Sequence, residues 1–333
     1  MNLPLGLRLL LWPFSVLYEL YARVRAWLYA KGWLASKRLH ARVISVGNLS
    51  VGGTGKTPMV IWLAEKFLSE GKRVGILSRG YRGSNGTSDE VELMKSRLGP
   101  LVKFGIGKDR YSQGARIESQ EKIDIILLDD GFQHLRLCRD MNILMLDGSQ
   151  DLTEQWILPA GTLREPISAC RRADCLIVTR KHEKPELELA DGCENSVFYA
   201  QTRLLGFRNY GEAGALRSAS EIGVGPFFAF CGIGNAPAFF DDLEQWHLPV
   251  AGKKAFRDHH RYSASDLESL AQLARAAGAI ALVTTEKDTY NFPERRLNSL
   301  PIVVVVISFA ISPECEFTAA LERKLGAMNG TTA

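Results

Sequence analysis

Residues 43–58, VISVGNLSVGGTGKTP, decide the fold of this chain. The run from Val43 to Val46 is rich in β-branched residues, as in a buried strand, and it leads into a glycine-rich loop and a helical segment that stops at Gly71. Strand, loop and helix in this order form a P-loop, in which backbone N–H groups and the helix N-terminus bind phosphate. The stretch therefore predicts an α/β fold with a nucleoside triphosphate site.

The P-loop pattern predicts a role for each of its residues. Lys56 reaches the β- and γ-phosphate oxygens, and the Thr57 hydroxyl is a ligand for Mg²⁺. Ser50 stands where the consensus begins with glycine, and a small residue makes that turn if its φ stays negative. The predicted nucleotide-binding residues are Ser50, Val51, Gly52, Gly53, Thr54, Gly55, Lys56 and Thr57.

A second segment, IDIILLDDGFQH at 123–134, supports this site. Its apolar run is typical of a strand buried on both faces, and it ends in Asp129 and Asp130. In a parallel sheet the carboxyl end of this strand lies beside the P-loop, where acidic groups hold Mg²⁺ or its waters. Paired aspartates also occur as simple polar strand ends, so the P-loop upstream is what favours a metal-binding role.

Further apolar runs alternate with helical stretches along the chain. This alternation predicts a doubly wound parallel α/β sheet. The length of 333 residues suits two domains of roughly 100 to 200 residues each. The other predicted strands of the sheet are 73–78, 100–104, 141–147 and 174–179.

The basic charge of the chain is concentrated at its N-terminus. The net charge is +4, yet residues 1–38 carry six Lys and Arg against the single Glu19, so the remainder is slightly acidic. This distribution argues against a nucleic-acid-binding surface. No feature of the sequence points to an obligate protein partner.

The same N-terminal segment is apolar and aromatic. Residues 7–33 combine three arginines and Lys31 with tryptophans, tyrosines and a phenylalanine, a composition suited to the headgroup region of a membrane. The longest uncharged run, Leu9 to Tyr18, has ten residues, well short of the roughly 20 needed to span a bilayer. We therefore predict an amphipathic helix lying on a membrane surface; the alternative is a helix packed on the protein's own body.

The six cysteines, at 138, 170, 175, 193, 231 and 315, form no CxxC pair. This pattern predicts free thiols, with neither a disulfide framework nor a zinc site. Cys138 and Cys175 flank apolar runs and are predicted to be small core residues.

Seven motifs follow one another along nearly the whole chain: GNLSVGGTGKTP (47–58), SRGYRG (78–83), DDGFQH (129–134), LPAGTLREP (158–166), GIGN (232–235), DHHRY (258–262) and TTEKD (284–288). Together they closely resemble the tetraacyldisaccharide 4'-kinases, the lipid A 4'-kinases of Gram-negative bacteria. GGTGKT alone is widespread, whereas its combination with DDGFQH and LREP is highly specific. Members of this family have a hydroxyl residue at the position of Ser50.

The resemblance implies ATP-dependent phosphorylation of the 4'-hydroxyl of a tetraacylated glucosamine disaccharide 1-phosphate, which gives the lipid A precursor lipid IVA. It also implies a peripheral enzyme on the cytoplasmic face of the bacterial inner membrane. The expected organisation is a P-loop NTPase-like domain with a second, smaller α/β domain and an N-terminal membrane-associated helix. The expected boundaries are 1–38 for the helical segment, 39–195 for the kinase domain, 196–215 for a β-ribbon linker and 216–333 for the smaller domain.

The resemblance further implies roles around the nucleotide. Asp129, Asp130, Gln133 and His134 fall on the second nucleotide motif of the family, with Gln133 as a metal ligand. In LREP, the resemblance makes Glu165 another metal ligand, and the adjacent Arg164 is expected to contact phosphate. With Thr57, the expected metal ligands are Asp129, Asp130, Gln133 and Glu165.

For catalysis, Asp89 matches the family's catalytic base and His259 matches a histidine from the second domain that supports it. Lys56 completes the expected catalytic set. Relatives commonly have GDE where this chain has SDE, and DHH leaves His259 and His260 both open. We favour His259 because it directly follows Asp258 in the motif.

These residues also have purely structural interpretations. Asp89 lies in Thr87-Ser88-Asp89-Glu90, which is typical of a capping box opening a helix at 88–98. Lys287 in TTEKD follows a predicted strand at 279–283, and a nucleotide could lie at the end of such a strand. A simple surface lysine fits this position equally well, so Lys287 is left out of the catalytic set. Arg79 and Arg82 follow a strand, where they are placed to meet phosphate or anionic lipid.

A membrane-associated ATPase switch of the partitioning type is the alternative function. Such proteins also combine a P-loop with a membrane-targeting helix, but their P-loop carries an extra lysine before the glycine pair. Here that position is Val51. The kinase interpretation is therefore favoured.

Overall fold

The computed structural model describes residues 4–80, 87–149, 155–180, 196–212, 214–223, 225–293 and 300–326. The chain forms two compact units, which we call the first unit (1–81, 98–201 and 310–333) and the second unit (82–97 and 202–309). Most of the SRGYRG motif, including Arg82, lies outside the described residues, as does Cys193.

The regular elements follow one another in this chain order: α1 (Leu5–Ala30), β1 (Arg42–Asn48), α2 (Lys56–Ser69), β2 (Val74–Ser78), α3 (Asp89–Leu98), β3 (Val102–Ile106), α4 (Arg110–Gln120), β4 (Ile125–Asp129), β5 (Met141–Asp147), β6 (Cys175–Thr179), β7 (Ser196–Asn209), β8 (Phe227–Cys231), α5 (Ala236–Gln245), β9 (Val250–Ala255), α6 (Ala264–Ala276), β10 (Ala281–Thr285), α7 (Glu286–Thr289), β11 (Ile302–Ser312) and α8 (Glu314–Gly326). The strands predicted at 73–78, 141–147 and 174–179 are confirmed as β2, β5 and β6. The strand predicted at 100–104 begins two residues later, because Gly99–Leu101 forms a 3₁₀ turn with Pro100 near its start.

The first unit is built on a parallel sheet. Its strand order is β3-β2-β4-β1-β5-β6-β7, and every pairing for which a register is defined is parallel. From β1 the chain moves to one side to form β2, β3 and β4, and then to the other side to form β5 and β6. The order therefore reverses at β1, and in open α/β sheets ligands bind beyond the carboxyl ends of the strands at such a point.

Helices cover the buried strands of this sheet. Ile117 of α4 packs with Leu77, Ile126 and Leu128 in one apolar cluster. Elsewhere in the unit, Phe317 of α8 makes ring contacts with Trp62 of α2 and Phe198 of β7, at centroid distances of 5.7 and 5.0 Å. Strands β2, β4 and β6 are buried along their whole length, as parallel strands with both faces covered should be.

The N-terminal helix α1 is anchored on the first unit by one polar side chain. The Ser15 hydroxyl donates to the Ile157 carbonyl over 2.9 Å and accepts from the Ala160 N–H over 3.0 Å. Arg25 donates from both terminal nitrogens to the Gln133 carbonyl, each over 3.2 Å. Among the residues described, no helix combines the length and apolarity required to cross a membrane.

The second unit contains a further group of parallel strands and has its own core. Strands β11, β10, β8 and β9 pair in that order, all parallel. Phe239 and Leu243 of α5 pack in one apolar cluster, whereas Leu267 and Leu270 of α6 pack in another. Successive β8 residues alternate between the two clusters, so the two helices cover opposite faces of this sheet.

The cysteine prediction is correct in part. Cys138, Cys175, Cys231 and Cys315 are free thiols, and Cys175 is buried as predicted. Cys138 is half-buried. Cys170 is disulfide-bonded, so the expectation of free thiols is wrong at this residue.

Gly47 in β1 meets the chain that follows β4 at very short range. A Cβ at this position would lie 2.6 Å from the Phe132 Cβ and 2.7 Å from the Phe132 backbone nitrogen. Backbone cannot move aside as a flexible side chain can, so only glycine fits here. Gly75 in β2 provides a contrast, because a Cβ there would meet its nearest atom at 3.5 Å.

We expect Gly47→Ala to lower the free energy of unfolding by about 1–3 kcal/mol through overpacking. Gly75→Ala is the matched control, since it also adds one methyl to a buried parallel strand, and it should be neutral or slightly stabilising. Urea denaturation followed by circular dichroism measures both. Equal transition midpoints for the two variants would contradict the proposed close packing of β1 against Phe132.

Candidate active site

The P-loop connects β1 to α2 in the first unit. Gly55 precedes the first residue of α2 with a φ of +85°, a left-handed conformation that favours glycine. Lys56 and Thr57 are therefore the first two residues of α2, where free backbone N–H groups and the helix dipole favour an anion. Ser50 is buried, pairs with Leu163 as an antiparallel bridge and keeps a φ outside the left-handed region.

The LREP segment lies directly against this loop. The Val51 N–H donates to the Thr162 carbonyl over 2.8 Å, and the Arg164 N–H donates to the Leu49 carbonyl over 2.6 Å. These bonds bring the Arg164 side chain to the P-loop. The Val51 residue itself is 44% exposed, which leaves the outer side of the loop open.

Asp129 and Asp130, at the end of β4, have different surroundings. Asp129 is buried and accepts from the Ser78 hydroxyl over 3.0 Å. Asp130 is half-buried, lies 3.6 Å from Lys56 Nζ and accepts from Arg164 Nη1 over 2.8 and 3.0 Å. Burial opposes ionisation of Asp130, but the charges of Lys56 and Arg164 outweigh it and lower its pKa. This carboxylate is therefore ionised between two cations.

Gln133 and Glu165 lie beyond this group. The Gln133 Nε2 donates to the Asn48 carbonyl over 2.9 Å, and its side chain also hydrogen-bonds Glu165. The Gln133 Oε1 atom is buried and has no hydrogen-bond partner in the described part of the chain. Glu165 is buried and forms an ion pair with Arg172; burial nevertheless raises its pKa.

The predicted magnesium ligands do not form one tight carboxylate cluster. Across the described residues, Asp89, Glu90 and His259 are the one group of three acidic, His or Cys residues with ligand atoms within 4.8 Å of one another. Asp129, Asp130 and Glu165 would thus offer oxygen ligands from separate places. The donor set still suits Mg²⁺, which prefers oxygen ligands and retains several waters.

Sequence reasoning missed Arg180, which follows β6 with a φ of 63°. Its guanidinium donates to Asp147 Oδ2 over 2.8 Å and to the Gly53 carbonyl in the P-loop over 3.2 Å. Arg180 therefore ties the loop to the carboxyl end of β5. An arginine directly after an apolar strand was the available signal, but it carries little information about its partner.

In the second unit, Asp89 and His259 form a direct pair. His259 Nδ1 lies 2.8 Å from Asp89 Oδ2 and 3.0 Å from Asp89 Oδ1. The Asp89 side chain is only 4% exposed, and that of His259 is 21% exposed. Burial opposes ionisation of Asp89, yet hydrogen bonding to His259 and the charge of Lys287 lower its pKa. The hydrogen bond to Asp89 raises the pKa of His259.

The structure distinguishes between the two histidines of DHH. His260 stacks on Phe256 at 4.5 Å and lies 3.3 Å from Asp266, away from Asp89. The capping role suggested for the SDE segment is taken by Ser88, whose hydroxyl accepts from the Val91 N–H over 3.4 Å. Asp89 is therefore available to His259.

Comparisons with known proteins identify the family of the chain. A family model described as LpxK, tetraacyldisaccharide-1-P 4'-kinase, matches residues 7–326. The chain belongs to this family. The family assignment, the α/β fold class and the kinase activity predicted from the sequence are therefore confirmed, and the ATPase-switch alternative is not favoured.

Individual relatives cover most of the chain. A tetraacyldisaccharide 4'-kinase of Pelobacter propionicus is 38% identical over 84% of this chain and 81% of its own length. A second tetraacyldisaccharide 4'-kinase, from Geobacter sulfurreducens, is 35% identical over 93% of this chain and 92% of its own length. The crystal structure of apo-form LpxK from Aquifex aeolicus, described as a complex with ATP, superimposes with a TM-score of 0.77 at 32% identity, covering 96% of this chain and 99% of that one.

We expect Arg172→Met to destabilise the protein by about 3 kcal/mol, because Glu165 would stay buried without its cation. Methionine keeps the packing on the Phe132 ring, over which the Arg172 guanidinium lies at 4.5 Å. The double variant Glu165→Gln/Arg172→Met removes both charges and should recover most of the loss. Thermal unfolding measures the three proteins, and a double variant no more stable than Arg172→Met would contradict the ion-pair interpretation.

Proposed function

We propose that the chain transfers the γ-phosphoryl group of ATP to the 4'-hydroxyl of a tetraacylated glucosamine disaccharide 1-phosphate, giving lipid IVA. The observation that carries the proposal is the family match over residues 7–326, which includes both the P-loop and the Asp89–His259 pair. The likeness to the Aquifex aeolicus LpxK described with ATP supports ATP as the donor.

The first unit binds and neutralises the triphosphate. The α2 N-terminus supplies N–H donors, while Lys56 and Arg164 already converge on one carboxylate, Asp130. A phosphate oxygen that takes the place of this carboxylate meets the same two cations. Phosphoryl transfer depends mainly on such positioning and charge stabilisation.

Mg²⁺, if bound, would neutralise negative charge on the phosphate groups. The residues that would hold it or its waters are Thr57, Asp129, Asp130, Gln133 and Glu165. Gln133 Oε1 supports this assignment, because it is buried without a hydrogen-bond partner among the described residues.

The second unit activates the acceptor. Asp89 is ionised and hydrogen-bonded to His259, so it can accept the proton that the sugar hydroxyl loses as it attacks phosphorus. His259 keeps the carboxylate oriented and stabilises its negative charge. Asp89 therefore acts as the general base, and His259 supports it.

Asp89→Asn should lower kcat by at least about 100-fold, because the amide cannot accept the proton. ATP binding should survive, since the P-loop is unchanged. The assay follows labelled γ-phosphate transferred to the lipid disaccharide in detergent micelles, and equilibrium binding of ATP is measured in parallel.

Asp266→Asn is the control for this variant, because Asp266 also pairs with a histidine in the second unit but caps α6. It should retain normal turnover. Near-normal kcat in Asp89→Asn would overturn the base assignment. ATP consumption that does not depend on added lipid acceptor would instead favour an ATPase switch.

We also propose that α1 attaches the enzyme to the cytoplasmic face of the inner membrane, where ATP is available. Ser15 faces the protein, whereas Leu10, Phe14, Leu17 and Tyr21 are each more than 60% exposed. Their spacing of three or four residues places them along one face of the helix. Such a stripe, accompanied by arginines, matches the chemistry of an anionic membrane surface.

Leu10→Glu/Leu17→Glu should reduce binding to vesicles containing anionic lipid by about tenfold or more, because two charges replace buried apolar groups at the interface. Leu101→Glu is the matched control, since Leu101 is as exposed as Leu10, at 70%, but lies outside α1. Vesicle flotation measures all three proteins. Point variants are preferable to deletion of residues 1–38, which would also remove the Ser15 contacts. Unchanged flotation of the double variant would contradict membrane attachment through this face.

A further inference from the structure

The short helix α7 lies beside the Asp89–His259 pair and has no part in the mechanism above. It follows β10 and contains most of the TTEKD motif; Thr285 caps it by accepting from the Asp288 N–H over 3.2 Å. Two side chains one turn apart, Lys287 and Asn291, reach Asp89 from this segment. Both belong to the second unit, as does Asp89.

Lys287 places its ammonium group among three carboxylates. Its Nζ lies 3.3 Å from Glu90 Oε1, 3.5 Å from Asp258 Oδ1 and 3.9 Å from Asp89 Oδ2. The Lys287 side chain is only 18% exposed. Asp89, Glu90 and His259 have the composition of a cation site, and this lysine supplies the positive charge there.

Asn291 completes the surroundings of Asp89. Its Nδ2 donates to Asp89 Oδ2 over 3.0 Å. The Asn291 backbone is held on both sides, because its N–H donates to the Asp288 carbonyl and its carbonyl accepts from the Tyr262 N–H, each over 2.9 Å. These bonds hold the backbone that carries the Asn291 side-chain amide.

The buried Asp288 connects this segment to His259. Asp288 Oδ1 accepts from the Gly232 N–H over 2.7 Å and from the Tyr262 hydroxyl over 2.8 Å. The Gly232 carbonyl in turn accepts from the His259 N–H over 2.9 Å. His259 has a φ of 58°, so its unusual backbone conformation is held by this chain of hydrogen bonds.

We propose that Lys287 and Asn291 are positioning residues for the phosphoryl transfer, which hold Asp89 ionised and in a fixed orientation next to His259. This inference rests on the proposed role of Asp89 as the base. It gives the TTEKD motif and the asparagine that follows it a function in catalysis through Asp89, without contact with the reacting atoms.

The charges around Asp89 determine the direction of the expected effect. His259 and Lys287 favour its ionised form, whereas Glu90 and Asp258 are like charges that oppose it. Loss of Lys287 leaves these two carboxylates uncompensated, so the pKa of Asp89 rises. Lys287 also lowers the pKa of His259, so that value rises as well. A general base is active only when it is ionised, above its pKa. The acid limb of the pH–rate profile must therefore move to higher pH.

Lys287→Met keeps the length and apolar stem of the side chain but removes its charge. We expect the acid limb of the pH profile of kcat/KM for the lipid to be displaced upward by about one to two pH units, so that kcat/KM falls about 10- to 100-fold at pH values on that limb and recovers on the plateau above it. ATP affinity should be unchanged. Lys287→Arg retains the charge and should keep the wild-type pH profile.

Asn291→Leu provides an independent test that leaves every charge in place. It should cause a smaller loss, about 5- to 20-fold, with the acid limb shifted in the same direction, because one donor to the carboxylate is removed. Lys253→Met is the control; Lys253 pairs with Glu244 on the surface of the same unit. It should behave as wild type.

The outcomes separate this inference from the proposed function. If Asp89→Asn is inactive but Lys287→Met and Asn291→Leu have wild-type rates and pH profiles, the positioning role is wrong while the base assignment stands. A loss that is equal at every pH would also overturn it, since that result indicates a merely structural role. If Asp89→Asn is itself active, the base assignment fails first.

Discussion

The parallel pairing of β1 with β4 and β5 is the constraint on which the proposed nucleotide site of the first unit depends. Because all three strands run the same way, their polar ends emerge at one edge, and Val46 of β1 stands opposite Asp129 of β4. Parallel pairing alone therefore brings the P-loop and the two aspartates close together. The close approach of Gly47 to Phe132 keeps the chain after β4 against β1. Arg164 then reaches Asp130 because its segment is hydrogen-bonded to the P-loop.

The second unit depends on a different principle, compensation of charge away from water. Asp89 is almost fully buried, and an isolated carboxylate there would take up a proton. Hydrogen bonds with His259 and Asn291 and the charge of Lys287, whose Nζ lies 3.9 Å from Asp89 Oδ2, keep it ionised. The same buried surroundings make each contact stronger than it would be at the surface, so a small set of side chains can hold a base ready for use.

Much of the first unit could be predicted because its signals are local. The P-loop strand, the carboxylate pair of β4 and the helix start at Lys56 are each encoded within a dozen residues. Prediction was weaker where a side chain could serve two purposes. Lys287 was as typical of a surface as of a site, and Asn291 gave no signal. The choice between His259 and His260 rested on motif order until the structure placed His260 against Asp266. The disulfide at Cys170 was not foreseen.

The sequence by itself determined the parallel α/β architecture, the phosphate loop and the family of kinases to which the chain belongs. These properties follow from hydrophobic periodicity and from backbone requirements that neighbouring residues satisfy together. Only the tertiary structure decided which side chains surround Asp89. His259 and Asn291 are 170 and 202 residues away from Asp89 along the chain. A local sequence pattern cannot predict contacts between residues so far apart. Their meeting is set by how α3, the 257–260 turn and α7 pack within the second unit.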